Sequence, residues 1–318
     1  MKLALKIDVD TYRGTRLGVP RLTEMLRKAD ARASFLFSLG HDHTGRAVKR
    51  VFRPGFLGKV SRTSVLSHYG LATLLYGTLL PGPDIARGCS AVLRSVKEQG
   101  FETGIHSWDH VAWQDGVATA DPAWTERQMN LAVQRYIEIF EDTPRVHGAA
   151  GWQMNRHAVR MTQRLGLICS SDCRGVRPFI PVWDGEVVHC PQLPTTLPTL
   201  DEIIGLDGVT EANAARAILS KTEHARHLQV FTLHAELEGM KLAPVFLQLL
   251  EGWHAQGYDL VDLGTALASL EVSRLPRHCL QFGSVPGRSG SLLVQGEEFL
   301  AGAPAALGGA AANPLLAQ

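Results

Sequence analysis

Charge of one sign is scarce in this chain of 318 residues: 32 Lys and Arg stand against 31 Asp and Glu, a net of +1. That balance gives no global electrostatic reason to expect nucleic acid as a partner. Cysteine is scarce too. Five residues, an odd number without paired zinc spacing, point away from a disulfide framework and towards reduced thiols in a cytoplasmic setting. Cys169 and Cys173 lack a second pair and read as core filler. No apolar run reaches the ~20 residues that a membrane-spanning helix needs. An export signal is also missing, because Lys6, Asp8 and Asp10 interrupt any apolar region at the N-terminus. The expectation is a protein that stays in the cytoplasm.

What remains is an ordinary globular composition, 45% hydrophobic with a mean hydropathy near zero, at −0.01. The length suits one large domain, since barrels of ~200–250 residues commonly fold as a unit. Strand patterns at 3–9, 33–39, 101–105, 145–150, 167–171, 186–190, 228–234 and 258–262 alternate with helix patterns at 20–29, 84–98, 122–141, 155–165, 210–223 and 243–256. Pro83 and Pro122 sit where helices start, and Gly100, Gly166 and Gly257 where they stop. Such alternation predicts parallel βαβ units in an α/β fold. From Ser284 to Gln318 the chain is rich in Gly, Ala and Pro, which predicts a disordered extension without chemistry.

Chemistry is concentrated in two short strings. Asp8-Val9-Asp10 follows the strand-like Leu3-Ala4-Leu5-Lys6-Ile7, and His106-Ser107-Trp108-Asp109-His110 follows Phe101-Glu102-Thr103-Gly104-Ile105. Residues two apart in a strand share a face, so the aspartates emerge side by side. Residues four apart share a face once the chain turns helical, so His106 and His110 can grip one ion. One carboxylate and two imidazoles make a three-ligand site with open positions, and the other carboxylate is free to act as a base, an arrangement suited to metal-assisted hydrolysis. A third string, Leu228 to Glu236, is an apolar strand ending in His234 with Glu236 two residues on. Taken singly, each motif recurs often in loops and surfaces; it is their joint occurrence at strand ends that points to the mouth of a barrel.

On these residues the chain resembles the polysaccharide deacetylase, or NodB-homology, family of metal-dependent carbohydrate amidases. The resemblance implies a distorted (β/α)7-type barrel as the catalytic domain over residues 1–270, with an insertion at about 41–82 and an extension over 271–318. It implies Asp8 as general base, His234 as general acid, and Asp10, His106 and His110 as ligands of one divalent metal: zinc first, with cobalt, manganese and nickel open. Within the family the chain is most similar to the branch that removes an N-formyl group from an amino-arabinose carried on undecaprenyl phosphate in lipid A modification. The strings that carry this are Asp8 to Thr15, His147 to Trp152, Ser171 to Gly175 and Thr232 to Glu236. Two departures stand out. Val9 separates aspartates that the family keeps adjacent, and Gly148 to Trp152 replaces the family's arginine-proline-glycine motif. Either the arginine that orients the base is absent, or Arg174 stands in for it. Asp172 is expected to orient a histidine or Arg174, or to cap a loop. Glu236 is expected to raise the pKa of His234 or to lie on a solvated rim, with Trp152 in a supporting role.

The segment 41–82 breaks the strand–helix order. Arg46, Lys49, Arg50, Arg53, Lys59 and Arg62 are interleaved with Phe52, Phe56 and Leu57, and an apolar run follows from Val65 to Leu80. A basic cluster beside an amphipathic run predicts a segment lying in the interface of the inner membrane, where a polyprenyl-phosphate-linked sugar would be met from the cytoplasmic side. An extra core helix under a long surface loop is the plainer alternative. Two other functions compete: a deacetylase of a polymeric N-acetyl sugar, and an inactive barrel serving as a membrane-associated binding protein.

Overall fold

In a computed structural model that describes residues 1–47 and 71–300, the first strand sets the architecture. β1 (Lys2–Val9) is buried along nearly its whole length, as expected of a parallel strand covered on both faces. Its alternate residues enter two different cores. Leu3, Leu5, Ile7 and Val9 join Phe35 and Phe37 in the large cluster under the helices. Ala4 joins Leu36, Val146, Cys169 and Val230 in a smaller cluster inside the curled sheet. Lys6 and Asp8 therefore follow Ala4 up the interior, both buried.

β2 (Ser34–Ser38), β3 (Glu102–Ser107), β4 (Val146–His147), β5 (Cys169–Ser170), β8 (Gln229–His234) and β9 (Asp259–Val261) complete a seven-stranded sheet in the order β5-β4-β3-β2-β1-β8, with β9 also on β1. Its described pairings are all parallel. The sheet curls, and residues 192–197 span its open side without forming a regular strand. Leu193 N–H donates to Ser170 O and Thr196 N–H to Val230 O, while the Thr195 and Thr232 hydroxyls meet at 2.7 Å. This is the expected distorted barrel.

The punctuation residues act as anticipated. Asp121 caps the helix Pro122–Phe140 through Trp124 N–H, and Gly100, Gly166 and Gly257 take left-handed φ values of +83°, +69° and +78° that side chains disfavour.

Two expectations fail. Of the strand placed at 186–190 only Glu186–Val187 forms, as β7, and it pairs with an unexpected β6 (Ile180–Trp183) in a second sheet rather than joining the barrel. That sheet is completed by β10 (Arg277–Gly283) and β11 (Leu292–Glu298), so residues 284–300 are not a disordered tail. Leu292 and Leu293 are buried, and burying them is what orders the segment against its Gly-rich composition. Residues 301–318 lie outside the described residues, as do Lys49, Arg50, Arg53, Lys59 and Arg62. Of the predicted basic cluster only Arg46 is described; it is exposed, and its Nε donates to Gly77 O. Among the described residues no helix is long and apolar enough to cross a membrane.

Candidate active site at the mouth of the barrel

Asp8 and His234 are register partners on β1 and β8, so both side chains rise from the same face at the carboxyl ends of their strands. Asp10 follows one residue beyond the end of β1. His106 stands near the end of β3, and His110 opens the helix His110–Gly116, whose N-cap Asp109 accepts from Ala112 N–H at 3.0 Å. The two histidines are thus one strand end and one helix start rather than a single helical face, yet their rings stack with centroids 5.3 Å apart.

Asp10, His106 and His110 each present a donor atom within 4.8 Å of the others. His106 Nε2 lies 3.2 Å from Asp10 Oδ1, and His110 Nε2 3.5 Å from Asp10 Oδ2. The ligand set fits a divalent cation on two counts. His106 Nδ1 is 2.6 Å from Gly148 O; a carbonyl only accepts, so the proton sits on Nδ1 and the Nε2 lone pair faces the cluster. Asp10 Oδ1 is buried without a hydrogen bond, a state that water or an ion must relieve. Electrostatics agrees. Burial pushes the Asp10 carboxyl up, but His110 and His106 outweigh it and hold it below the usual carboxylate range. Burial lowers the His106 pKa, and Asp8 with Asp10 more than reverses this. The cluster attracts positive charge, which a cation supplies better than a proton.

The supporting residues fall differently from expectation. Glu236 is neither a solvated rim residue nor a partner of His234. It is buried, and its Oε1 accepts from Asp10 N–H (3.1 Å), Thr11 N–H (2.8 Å) and the Thr11 hydroxyl (2.8 Å). β8 ends at His234, so Glu236 no longer follows the strand alternation. Burial, then Asp10, pushes its carboxyl well above the ordinary range. Asp172 does hold a histidine rather than Arg174: His147, the first residue of the His147 to Trp152 string, whose Nδ1 lies 2.6 Å from its Oδ1. Arg174 turns to Glu202 at 2.5 Å and to the carbonyls of Thr195 and Leu197, so it is engaged away from Asp8. Trp152 is buried, with Lys6, Arg174 and Arg288 at 5.2, 5.1 and 4.7 Å from its ring.

The residue beside Asp8 is Lys6, whose Nζ lies 3.1 Å from Asp8 Oδ2. Its signal was present in the sequence: a charge in the middle of an apolar strand, on the same face as Asp8. Glu238 was also missed. It is buried, accepts from His234 N–H at 2.8 Å, and has its carboxyl pushed up to about 8 by burial. A cavity of about 420 Å³ lined by Arg32, Glu102, Arg145 and Asp262 lies at the opposite end of the strands, away from this cluster.

No protein-family model matches the chain. A Shewanella sediminis (strain HAW-EB3) protein named "Probable 4-deoxy-4-formamido-L-arabinose-phosphoundecaprenol deformylase ArnD" is 39% identical over 249 residues, 78% of this chain and 80% of the relative. A protein of the same name from Wigglesworthia glossinidia brevipalpis is 31% identical over 284 residues, 89% of this chain and 98% of its own length. In fold, the chain is similar to the crystal structure of a candidate polysaccharide deacetylase from Mycobacterium smegmatis, with a TM-score of 0.59 at 14% identity, covering 89% of this chain and 96% of that one.

Proposed function

Because the chain belongs to the ArnD family of formamido-arabinose-phosphoundecaprenol deformylases, we propose that it hydrolyses the N-formyl amide of 4-deoxy-4-formamido-L-arabinose carried on undecaprenyl phosphate. It is a hydrolase of a non-peptide C–N bond, and its products are formate and the amino sugar lipid used to modify lipid A. The observation that carries the reading is the convergence of Asp10, His106 and His110 beside Asp8 and His234, which face each other across β1 and β8.

In this reading Asp10, His106 and His110 hold one divalent cation, zinc before cobalt, manganese or nickel. When bound, such an ion supplies Lewis acidity and lowers the pKa of water. Asp8 takes a proton from the attacking water as its oxygen bonds to the formyl carbon. His234 gives a proton to the nitrogen as the C–N bond breaks, so the amine leaves neutral. Glu236 sets the position of Asp10 by gripping the Asp10 and Thr11 amides. The catalytic domain covers residues 1–270, and the extension that begins at 271 adds β10 and β11 to the second sheet. The segment 41–82 docks on the cytoplasmic leaflet of the inner membrane, supported by the basic cluster around the exposed Arg46 and by Leu79 and Leu80, which are 80% and 40% exposed. Anionic lipid attracts each such basic residue by ~1 kcal/mol.

Mass spectrometry of the lipid product, with formate assay, tests the reaction on matched formamido and acetamido sugar lipids. Release of formate from the first, well above acetate from the second, is expected; preference for the acetamido lipid overturns the substrate. Asp8→Asn and His234→Ala are expected to keep stoichiometric metal and lose turnover by ~100-fold or more, and wild-type rates in either variant remove its role. Flotation with anionic vesicles, reversed by high salt, tests the docking.

A further inference from the structure

Lys6 is fully buried in the barrel interior, where a lysine is among the costliest side chains to leave without a counter-charge. Its Nζ makes no hydrogen bond of good geometry. Its ion-pair partner is Asp8 Oδ2 at 3.1 Å, and its other neighbour is the face of Trp152 at 5.2 Å. The space it occupies depends on a missing side chain: a Cβ built on Gly148 would lie 2.4 Å from Leu36 Cδ1, 2.6 Å from Lys6 Cε and 3.2 Å from Nζ. The same Gly148 offers its carbonyl to His106 Nδ1.

Asp8 is thereby divided. Oδ2 faces the ammonium, and Oδ1 is buried without a hydrogen bond, 3.5 Å from His106 Nδ1, a nitrogen already engaged by Gly148 O at 2.6 Å. We infer that Lys6 is the positioning residue of Asp8: it fixes the carboxylate through Oδ2 and leaves Oδ1 free for the attacking water. Arg174, held by Glu202, has no share in this. The inference rests on Asp8 being the base of the proposed reaction. Strand β1 presents base and positioning charge two residues apart on one face, and the glycine of β4's exit loop gives that charge its room.

A double-mutant cycle on the metal-loaded full chain tests it, with kcat, KM, metal content and Tm read for each variant. Lys6→Met is expected to keep the metal, leave KM within about twofold and lower kcat by about tenfold or more, whereas in an Asp8→Asn background it should change the residual rate by less than about twofold, because the two residues act as a unit. Lys6→Arg, which restores a charge, is expected to recover most of the lost kcat. Wild-type kcat in Lys6→Met overturns the inference while leaving Asp8 as base. Equal losses from Lys6→Met in both backgrounds make Lys6 merely structural and also overturn it. Full activity in Asp8→Asn instead overturns the base assignment. Should Lys6→Met fail to fold, Gly148→Ala carries the test: displacing Lys6 should lower kcat in the wild-type background and not in Asp8→Asn, and an unchanged kcat counts against the inference.

Discussion

Two buried histidine–carboxylate groups stand on neighbouring strands of the same sheet, and the protein finishes one of them and leaves the other open. On β4, His147 Nδ1 meets Asp172 Oδ1 at 2.6 Å. Asp172 also accepts from Ala149 N–H at 2.9 Å and from Gln192 Nε2 at 3.1 Å, so both carboxylate oxygens are used. On β3, His106 faces Asp8 and Asp10, each of which retains a buried oxygen without a hydrogen bond. Burial, charge and residue type are alike; completeness differs. A satisfied buried network holds a fold together, whereas a cluster with unmet demand for a cation is arranged for something the chain does not itself contain. Completeness, not the presence of histidine, separates scaffold from site.

His106→Ala breaks the comparison most severely on the open side. Removing this fully buried imidazole is expected to abolish stoichiometric metal binding, and turnover with it, while far-ultraviolet circular dichroism stays unchanged. Elemental analysis of the purified variant checks this, and full metal retention would remove His106 from the ligand set.

Asp172→Asn sharpens it on the finished side. The amide keeps the shape but loses the carboxylate charge and turns the oxygen that accepts from Gln192 Nε2 into a donor, so a loss of ~1–3 kcal/mol in stability is expected, with metal retained and turnover per loaded enzyme within about threefold of wild type. Burial raises the Asp172 pKa, but His147 more than offsets it and the carboxyl is held below its usual 3.8. A depressed folded-state pKa means stability that is present above the unfolded value and lost as pH falls through the folded one. Denaturation of wild type should therefore show an acid limb below about pH 4 that is shallower in Asp172→Asn, the remaining slope coming from other depressed carboxyls such as Asp10 and Glu202. Equal acid sensitivity in both proteins would put the stabilising role of the Asp172 carboxylate in doubt.

The same contrast explains what the sequence made legible. The barrel could be read because strand periodicity and helix punctuation are local: β1, the helix Pro122–Phe140 and the left-handed Gly100 follow from neighbouring residues. Asp8, Asp10, His106, His110 and His234 were legible because each sits at the end of an apolar strand or just beyond it, where polarity has no packing reason to occur. The second sheet was hidden because Leu293 is ordered in a buried cluster with residues far earlier in the chain, such as Phe179 and Val188, and nothing local overrides its Gly-rich surroundings. Partner choices were hidden for the same reason. Whether Asp172 holds His147 or Arg174, and whether Glu236 grips an imidazole or the Asp10 and Thr11 amides, depends on which strand ends meet. Lys6 lay in plain sight, but its meaning required knowing that the interior of the barrel leaves it beside Asp8.

Glu238 stands between the finished group and the open one, and it supplies the finest test. One oxygen accepts from His234 N–H at 2.8 Å, and the other is buried without a partner. Burial pushes its carboxyl from 4.5 up to about 8. Below pH 4.5 the folded and unfolded chains both hold this proton, and it contributes no pH dependence. Between about 4.5 and 8 the unfolded chain has released the proton and the folded chain has not, so stability falls as pH rises. Above about 8 both have released it and the slope ends. Glutamine keeps the acceptor for His234 N–H and is neutral throughout. Glu238→Gln is therefore expected to leave metal content and turnover within about twofold of wild type, and to gain stability relative to wild type steadily from pH 5 to pH 8. Urea midpoints of the two proteins at pH 5, 6.5 and 8 measure that gap. A gap that does not change with pH would mean that Glu238 is already ionised in the folded protein at pH 5, and burial would then not hold its proton.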